Sequence, residues 1–217
     1  MKKLVNGIVE FRKNLMPSYL EKFAQLALGQ SPDTLFIACS DSRVVPNLFA
    51  STDPGDLFVI RNVGNLIPRC ALDGRSIADE SEAAAIEFSL LNLNVKDIIV
   101  CGHSECGAMK ALYQGREKIE SPNLRGWLRH ADESLSKVHL GQSSLSPINY
   151  LSQLNVLAQM QNLLSYPVVN QRVNAGSLKI HGWWFELSQA GVHAFDATTQ
   201  KFELIDEEAA EKILAKL

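Results

Sequence analysis

Two places in the chain carry donor atoms suited to a soft metal ion. The stretch FIACSDSR at 36–43 ends an apolar run in Cys39, and CGHSECGAMK at 101–110 offers His103 and Cys106 in the spacing H-x-x-C. Two side chains three apart at the start of a helix lie on the same side of it and can converge on one ion. Two thiolates and one imidazole suit zinc best among the common metals. Three protein ligands leave one tetrahedral position open, as catalytic rather than structural sites do. H-x-x-C alone is weak evidence, since either residue is commonly packing or polar surface. The pattern C-x-D-x-R at 39–43 is what strengthens it.

Asp41 and Arg43 raise a further question, because two opposite charges so close to a buried cysteine need a reason. A zinc site with two thiolates is nearly neutral and acidifies water less than a site of three neutral histidines. If Arg43 holds Asp41 away from the ion, the open position is left to water, and the carboxylate can accept a hydrogen bond from zinc-bound hydroxide and orient it. If the pair breaks, Asp41 can ligate zinc and shut the site. A helix cap with a surface ion pair is the plain alternative, and the neighbouring cysteine tells against it. Two rival functions share these residues. One is a non-catalytic zinc or sensory module in which Asp41 permanently closes the site. The other is a thiol redox protein using Cys39 and Cys106, which lacks a C-x-x-C pair.

These residues need elements to bring them together. TLFIA at 34–38, DLFVI at 56–60 and DIIVC at 97–101 are short apolar runs bounded by Pro, Asp and Gly, which read as strands covered on both faces. ESEAAAIEFSLLNLN at 80–94 reads as a helix between the second and third. Strand, helix and strand therefore alternate around a mostly parallel central sheet, and the fold class is α/β. Ligands in such sheets gather outside the carboxyl ends of strands, so Cys39 can meet His103 and Cys106. A helix is expected from about Ala108 to Gln114 and another at 151–165, whose apolar positions read as core. Two amphipathic helices at about Leu4–Leu15 and Ser18–Leu28, parted near Pro17, precede the sheet as an arm. SLKIHGWWFEL, VHAFD and KFELI read as the strands of a C-terminal meander, and EEAAEKILAKL at 207–217 closes the chain as a helix.

At 217 residues the chain is read as a single domain, 1–217, with 1–30 as the arm. A net charge of −3 without a basic block excludes the electrostatic footprint of a nucleic-acid or anionic-membrane binder. No apolar window is long enough to span a bilayer, and no signal-peptide core forms at the N-terminus. Four scattered cysteines, Cys39, Cys70, Cys101 and Cys106, point to thiols or metal ligands in a reducing compartment and to a cytoplasmic protein.

Taken together, CSDSRV at 39–44, RNVGNLIP at 61–68, GHSECGAMK at 102–110 and HGWWFEL at 181–187 resemble the β-class carbonic anhydrases over about residues 1–206. The resemblance implies a zinc enzyme that interconverts carbon dioxide and bicarbonate, with Cys39, His103 and Cys106 as ligands and Asp41 and Arg43 as the catalytic dyad. It also implies a site at a homodimer interface, with the arm embracing the partner and dimers often assembling further. By position, Gln30, Phe58, Val63 and Phe88 would line the substrate pocket, Gln30 donating to a substrate oxygen. Phe88 stands where many members have Tyr. Some members bind bicarbonate at a second site that flips Asp onto the metal. Phe36 and Phe185 replace two residues of that set, with Arg61 in the place of its Arg, so no such switch is expected here. The segment 70–82 departs from the family's glycine-rich loop, and its conformation is left open. No proton shuttle is assigned. His130, His139, His181 and His193 read as structural or surface groups.

Overall fold

The computed structural model describes residues 1–78, 80–138 and 143–215. Its centre is a six-stranded sheet made of β1 (Thr34–Cys39), β2 (Leu57–Asn62), β3 (Asp97–His103), β4 (Lys179–Glu186), β5 (Gly191–Asp196) and β6 (Lys201–Leu204), in the spatial order β2-β1-β3-β4-β5-β6. β2, β1, β3 and β4 run parallel, and β5 and β6 add to the edge antiparallel. The expected meander is present, but its first strand is also the fourth member of the parallel sheet. Leu35, Phe36, Ile37 and Ala38 are fully buried, which is why β1 reads as an unbroken apolar run instead of an alternating one.

The helices are α1 (Lys2–Glu10), α2 (Met16–Leu26), α3 (Pro46–Phe49), α4 (Glu80–Leu91), α5 (Gly107–Tyr113), α6 (Pro122–Trp127), α7 (Asp132–Val138), α8 (Pro147–Leu163), α9 (Pro167–Asn174) and α10 (Glu207–Leu214). Lys216 and Leu217, at the end of the expected last helix, lie outside the described residues. The arm does not part at Pro17. A π-helical turn, Phe11–Leu15, joins α1 to α2, with Met16 N–H donating to the Phe11 carbonyl. That wider turn takes up the register change imposed by a proline that has no N–H of its own to give. α8 starts four residues earlier than expected, at Pro147, where Ser146 accepts the Asn149 N–H as an N-cap.

One sheet face packs Leu35, Ile37, Ile98 and Val100 against Ile86 of α4, Val156 and Leu163 of α8 and Val169 of α9. The other buries Phe36, Ala38, Ile99, Cys101 and Phe185 beneath Phe49 of α3. Each fully buried aliphatic side chain contributes about 1.5–3 kcal/mol, so these layers hold the strands rigidly. Gly102 sets how near α8 lies, since a Cβ there would stand 2.7 Å from Val156 Cγ2. β1 passes the chain to β2 on one side, while β3 passes it through α5 to α9 to β4 on the other. Loops leaving the carboxyl ends of β1 and β3 therefore diverge, and a crevice opens between them. Among the described residues no helix is long and apolar enough to cross a membrane.

Candidate metal centre

Both strands run one or two residues further than their apolar runs suggest, so Cys39 is the last residue of β1 and His103 the last of β3. Ala38 pairs with Cys101 in the parallel ladder, which sets the two strand ends side by side. Cys106 follows as the N-cap of α5, with its sulfur beside that of Cys39. The ligand atoms of Cys39, His103 and Cys106 all lie within 4.8 Å of one another. A tetrahedral ion with bonds of about 2.0–2.3 Å holds its donors roughly 3.3–3.8 Å apart, so the three fit one ion with little movement.

The histidine is already oriented for the task. His103 is fully buried, and its Nδ1 lies 2.8 Å from the Ser104 carbonyl, which fixes Nδ1 as the protonated nitrogen. Its Nε2 is buried without a hydrogen-bond partner, an expense that a metal ion relieves. Gly64 N–H donates to Cys39 Sγ at 3.4 Å. Gly64 has φ +87, a conformation that L side chains rarely adopt, and a Cβ would meet Ala108 Cβ at 3.2 Å. Hydrogen bonds from Cys106 and from the Gly64 N–H pull the Cys39 thiol down, while donation to Cys39 and burial push Cys106 up. A divalent cation between them favours the thiolate at both.

Asp41 and Arg43 form the expected pair. Arg43 Nε donates to Asp41 Oδ1 at 2.9 Å, Nη2 to Oδ2 at 2.8 Å, and the Arg43 backbone N–H to Oδ1 at 3.0 Å. These bonds hold the Asp41 carboxyl well below the usual carboxylate range. Its Oδ2 stands 3.9 Å from His103 Nε2, beside the metal position. Arg61 donates from Nε to the Cys39 carbonyl and from Nη2 to the Asp41 carbonyl, at 3.1 and 2.7 Å, and so pins the turn that carries both residues.

A cleft of about 310 Å³ opens on the centre, lined by Cys39, Ser40, Asp41, Val63, Gly107, Ala108, Ala111 and Leu124. Of the four residues expected to line a pocket, Val63 stands here. Gln30 lies instead beside the arm with Lys22, Leu26 and Pro54, and Phe58 packs on Phe88 with ring centroids 5.8 Å apart. Phe88 remains 43% exposed. Phe36 and Phe185 are buried on either side of Phe49, at 6.1 and 4.7 Å between centroids, and present no polar atom to an anion.

Two supports escape the sequence reading. Along one face of α8, polar residues are buried, and they hold the loops of the centre. Ser152 Oγ donates to the His103 carbonyl and Asn155 Nδ2 to the Gly64 carbonyl. Gln159 Oε1 accepts the Ile67 N–H, and Asn162 Nδ2 donates to the Ile67 carbonyl. Their i, i+3, i+7, i+10 spacing is visible in the sequence, but nothing in it marks whether an amide faces water or backbone. The segment 70–82 begins as a tight turn in which Ala71 N–H donates to the Arg75 carbonyl and Gly74 has φ +87. Asp79 within it, and His139, lie outside the described residues.

A family model described as carbonic anhydrase matches residues 34–192. A carbonic anhydrase of Pseudomonas aeruginosa is 37% identical over 93% of this chain and 90% of its own length. One from Synechococcus elongatus is 40% identical over 95% of this chain and 76% of its own. Among solved structures, the β-carbonic anhydrase CcaA superposes with a TM-score of 0.86 at 40% identity, covering 94% of this chain and 98% of that one. A tetrameric β-carbonic anhydrase of Sordaria macrospora gives 0.77 at 26% identity, covering 90% and 96%.

Proposed function

The chain belongs to the β-carbonic anhydrase family, and from that premise we propose how its own residues carry out the reversible hydration of carbon dioxide to bicarbonate and a proton. The observation that carries the reading is the convergence of two buried sulfurs and one unpartnered, buried imidazole nitrogen beside an arginine-held carboxylate. The donor set suits zinc best as the resident ion, held by Cys39, His103 and Cys106. A zinc ion there supplies Lewis acidity, which brings the ionisation of a water molecule toward neutral pH.

The remaining work falls to the protein. Arg43 keeps Asp41 off the metal and charged. Asp41 then accepts a hydrogen bond from the nucleophile and aims its lone pair at the carbon. Val63, Ala108, Ala111 and Leu124 give the cleft an apolar wall, which suits a gas and holds it near the attacking atom. With phenylalanine at 36 and 185, we propose that the site rests open near neutral pH.

Gln30, Phe58 and Phe88 lie away from this cleft, and we assign them to the cleft of a second copy. The arm supports a homodimer or larger homo-oligomer: α1 and α2 bury no residue, while Leu4, Ile8, Leu15 and Leu20 are each more than half exposed. We treat the whole chain as one catalytic domain with 1–30 as a partner-embracing arm. Four free thiols suit a reducing compartment, so we place the protein in the cytoplasm.

Stopped-flow hydration of carbon dioxide by protein carrying one equivalent of zinc tests the function. Turnover well above the uncatalysed rate at pH 7 to 9, lost on chelation and regained with zinc, is expected. Full zinc occupancy without turnover would transfer the site to the closed, non-catalytic module.

A further inference from the structure

The dyad is not anchored by its own two residues alone. Arg43 Nη2 also donates to the Glu105 carbonyl, at 3.1 Å. Glu105 lies between the ligands His103 and Cys106 and has φ +53, the left-handed region that a residue with a Cβ enters at a cost. Something must hold it there. Asn149, in the first turn of α8, meets Glu105 twice: its Oδ1 accepts the Glu105 N–H at 2.7 Å, and its Nδ2 donates to Glu105 Oε1 at 3.1 Å. Asn149 is itself fixed by its backbone N–H to Ser146 Oγ. A chain of contacts thus runs from the helix start, through a left-handed turn, to the guanidinium that holds the carboxylate.

We propose that Asn149 is a positioning residue for the Asp41–Arg43 pair: it clamps Glu105 in the conformation that presents a carbonyl oxygen to Arg43 and so keeps Asp41 off the metal. Asn149 touches neither substrate nor ligand atoms. The balance it biases is between Asp41 on Arg43 and Asp41 on the ion. Losing the clamp frees the Glu105 carbonyl to turn away and leaves Arg43 with one anchor fewer. A hydrogen bond of ordinary net strength moves such a two-state balance about five-fold.

The inference rests on the proposed metal centre, so the test first loads the parent protein with cobalt(II) and titrates it with azide, following the visible bands of the metal. Azide needs the position that Asp41 would occupy, so its affinity reports the open fraction independently of turnover. Failure of the parent to bind cobalt would overturn the metal centre itself. With a cobalt-binding parent, Asn149→Ala is expected to bind azide more weakly, by at most about five-fold, since affinity falls only as the open fraction falls. Asn149→Asp keeps the acceptor for Glu105 N–H but sets two carboxylates together, and it should also weaken azide binding. Glu105→Gln alone should be neutral, because its amide oxygen still accepts from Asn149. Combined as Asn149→Asp with Glu105→Gln, the two exchange donor and acceptor and should restore parental affinity. A role confined to the stability of α8 would lower the melting temperature without this pattern. Parental azide affinity in Asn149→Ala overturns the proposal, as does a double variant no better than Asn149→Asp; the double variant decides the matter if Asn149→Ala fails to fold.

Discussion

In the proposed mechanism Asp41 stands between two positive partners, the guanidinium of Arg43 and the metal, and the chemistry requires the first to win. The geometry favours it, with two side-chain bonds and one backbone bond from a single residue. Asp41→Asn keeps the shape but gives up the charge and half the acceptor capacity. It should retain one equivalent of zinc and lose about 10²-fold or more in kcat, the scale of a positioned proton acceptor. Unchanged stopped-flow kinetics would remove Asp41 from the reaction. Arg43→Ala should move the carboxylate onto the ion, so a crystal structure of that variant with Asp41 still clear of the metal would contradict the gate. The meeting of Cys39, Asp41, Arg43, His103 and Cys106 was legible in the sequence because they sit within five residues of the ends of two apolar runs, where a parallel sheet gathers side chains. Arg61 was legible only as a residue and not as the clamp on the Cys39 and Asp41 carbonyls, since nothing in RNVGN says which way a β2 side chain reaches.

At the scale of elements, α8 does more than cover the sheet. Gln159 is fully buried and joins the Ile67 N–H, the His130 carbonyl and Asn155. Gln159→Leu strands the first two groups, and urea unfolding should register a loss of about 2–4 kcal/mol; a loss below about 1 kcal/mol would show that the loops hold without it. Beside this network, burial pushes the His130 imidazole down from 6.5 to about 4. The folded value lies below the unfolded one, so the unfolded chain binds more protons between them. The contribution is therefore complete above pH 6.5 and is lost as pH falls through 4. His130→Gln should flatten that part of the stability profile, and equal acid sensitivity in parent and variant would argue otherwise. Strands, the order of elements and the helix before β3 could be read from apolar runs and their punctuation. The buried amides of α8 could not, because Asn and Gln at helical spacing look alike whether they face water or backbone. Nor could the continuity of the arm, where Pro17 suggests a stop that a single π-helical turn avoids.

For the whole molecule, the proposal is that a second copy covers the arm and completes the cleft. Removing residues 1–26 should leave a folded protomer that sediments as a smaller species and has lost most of its turnover; an unchanged assembly would show that the arm is not the embrace proposed. If Gln30 serves the partner's cleft, then Gln30→Ala and Cys39→Ala variants, each nearly inactive, should regain activity when unfolded together and refolded as hybrids. No recovery would return Gln30 to its own subunit or to no role at all. Only the family resemblance pointed to a partner's cleft, since within the protomer Phe88 is exposed and packs on Phe58, which itself rests against the core. The most direct measurement of the account is a crystal structure at neutral pH with anomalous scattering recorded at the zinc edge. It should show one zinc bonded to Cys39 Sγ, His103 Nε2 and Cys106 Sγ, with a water as fourth ligand and Asp41 resting on Arg43. Zinc bound elsewhere, or these three atoms around no ion in a zinc-loaded crystal, would contradict it.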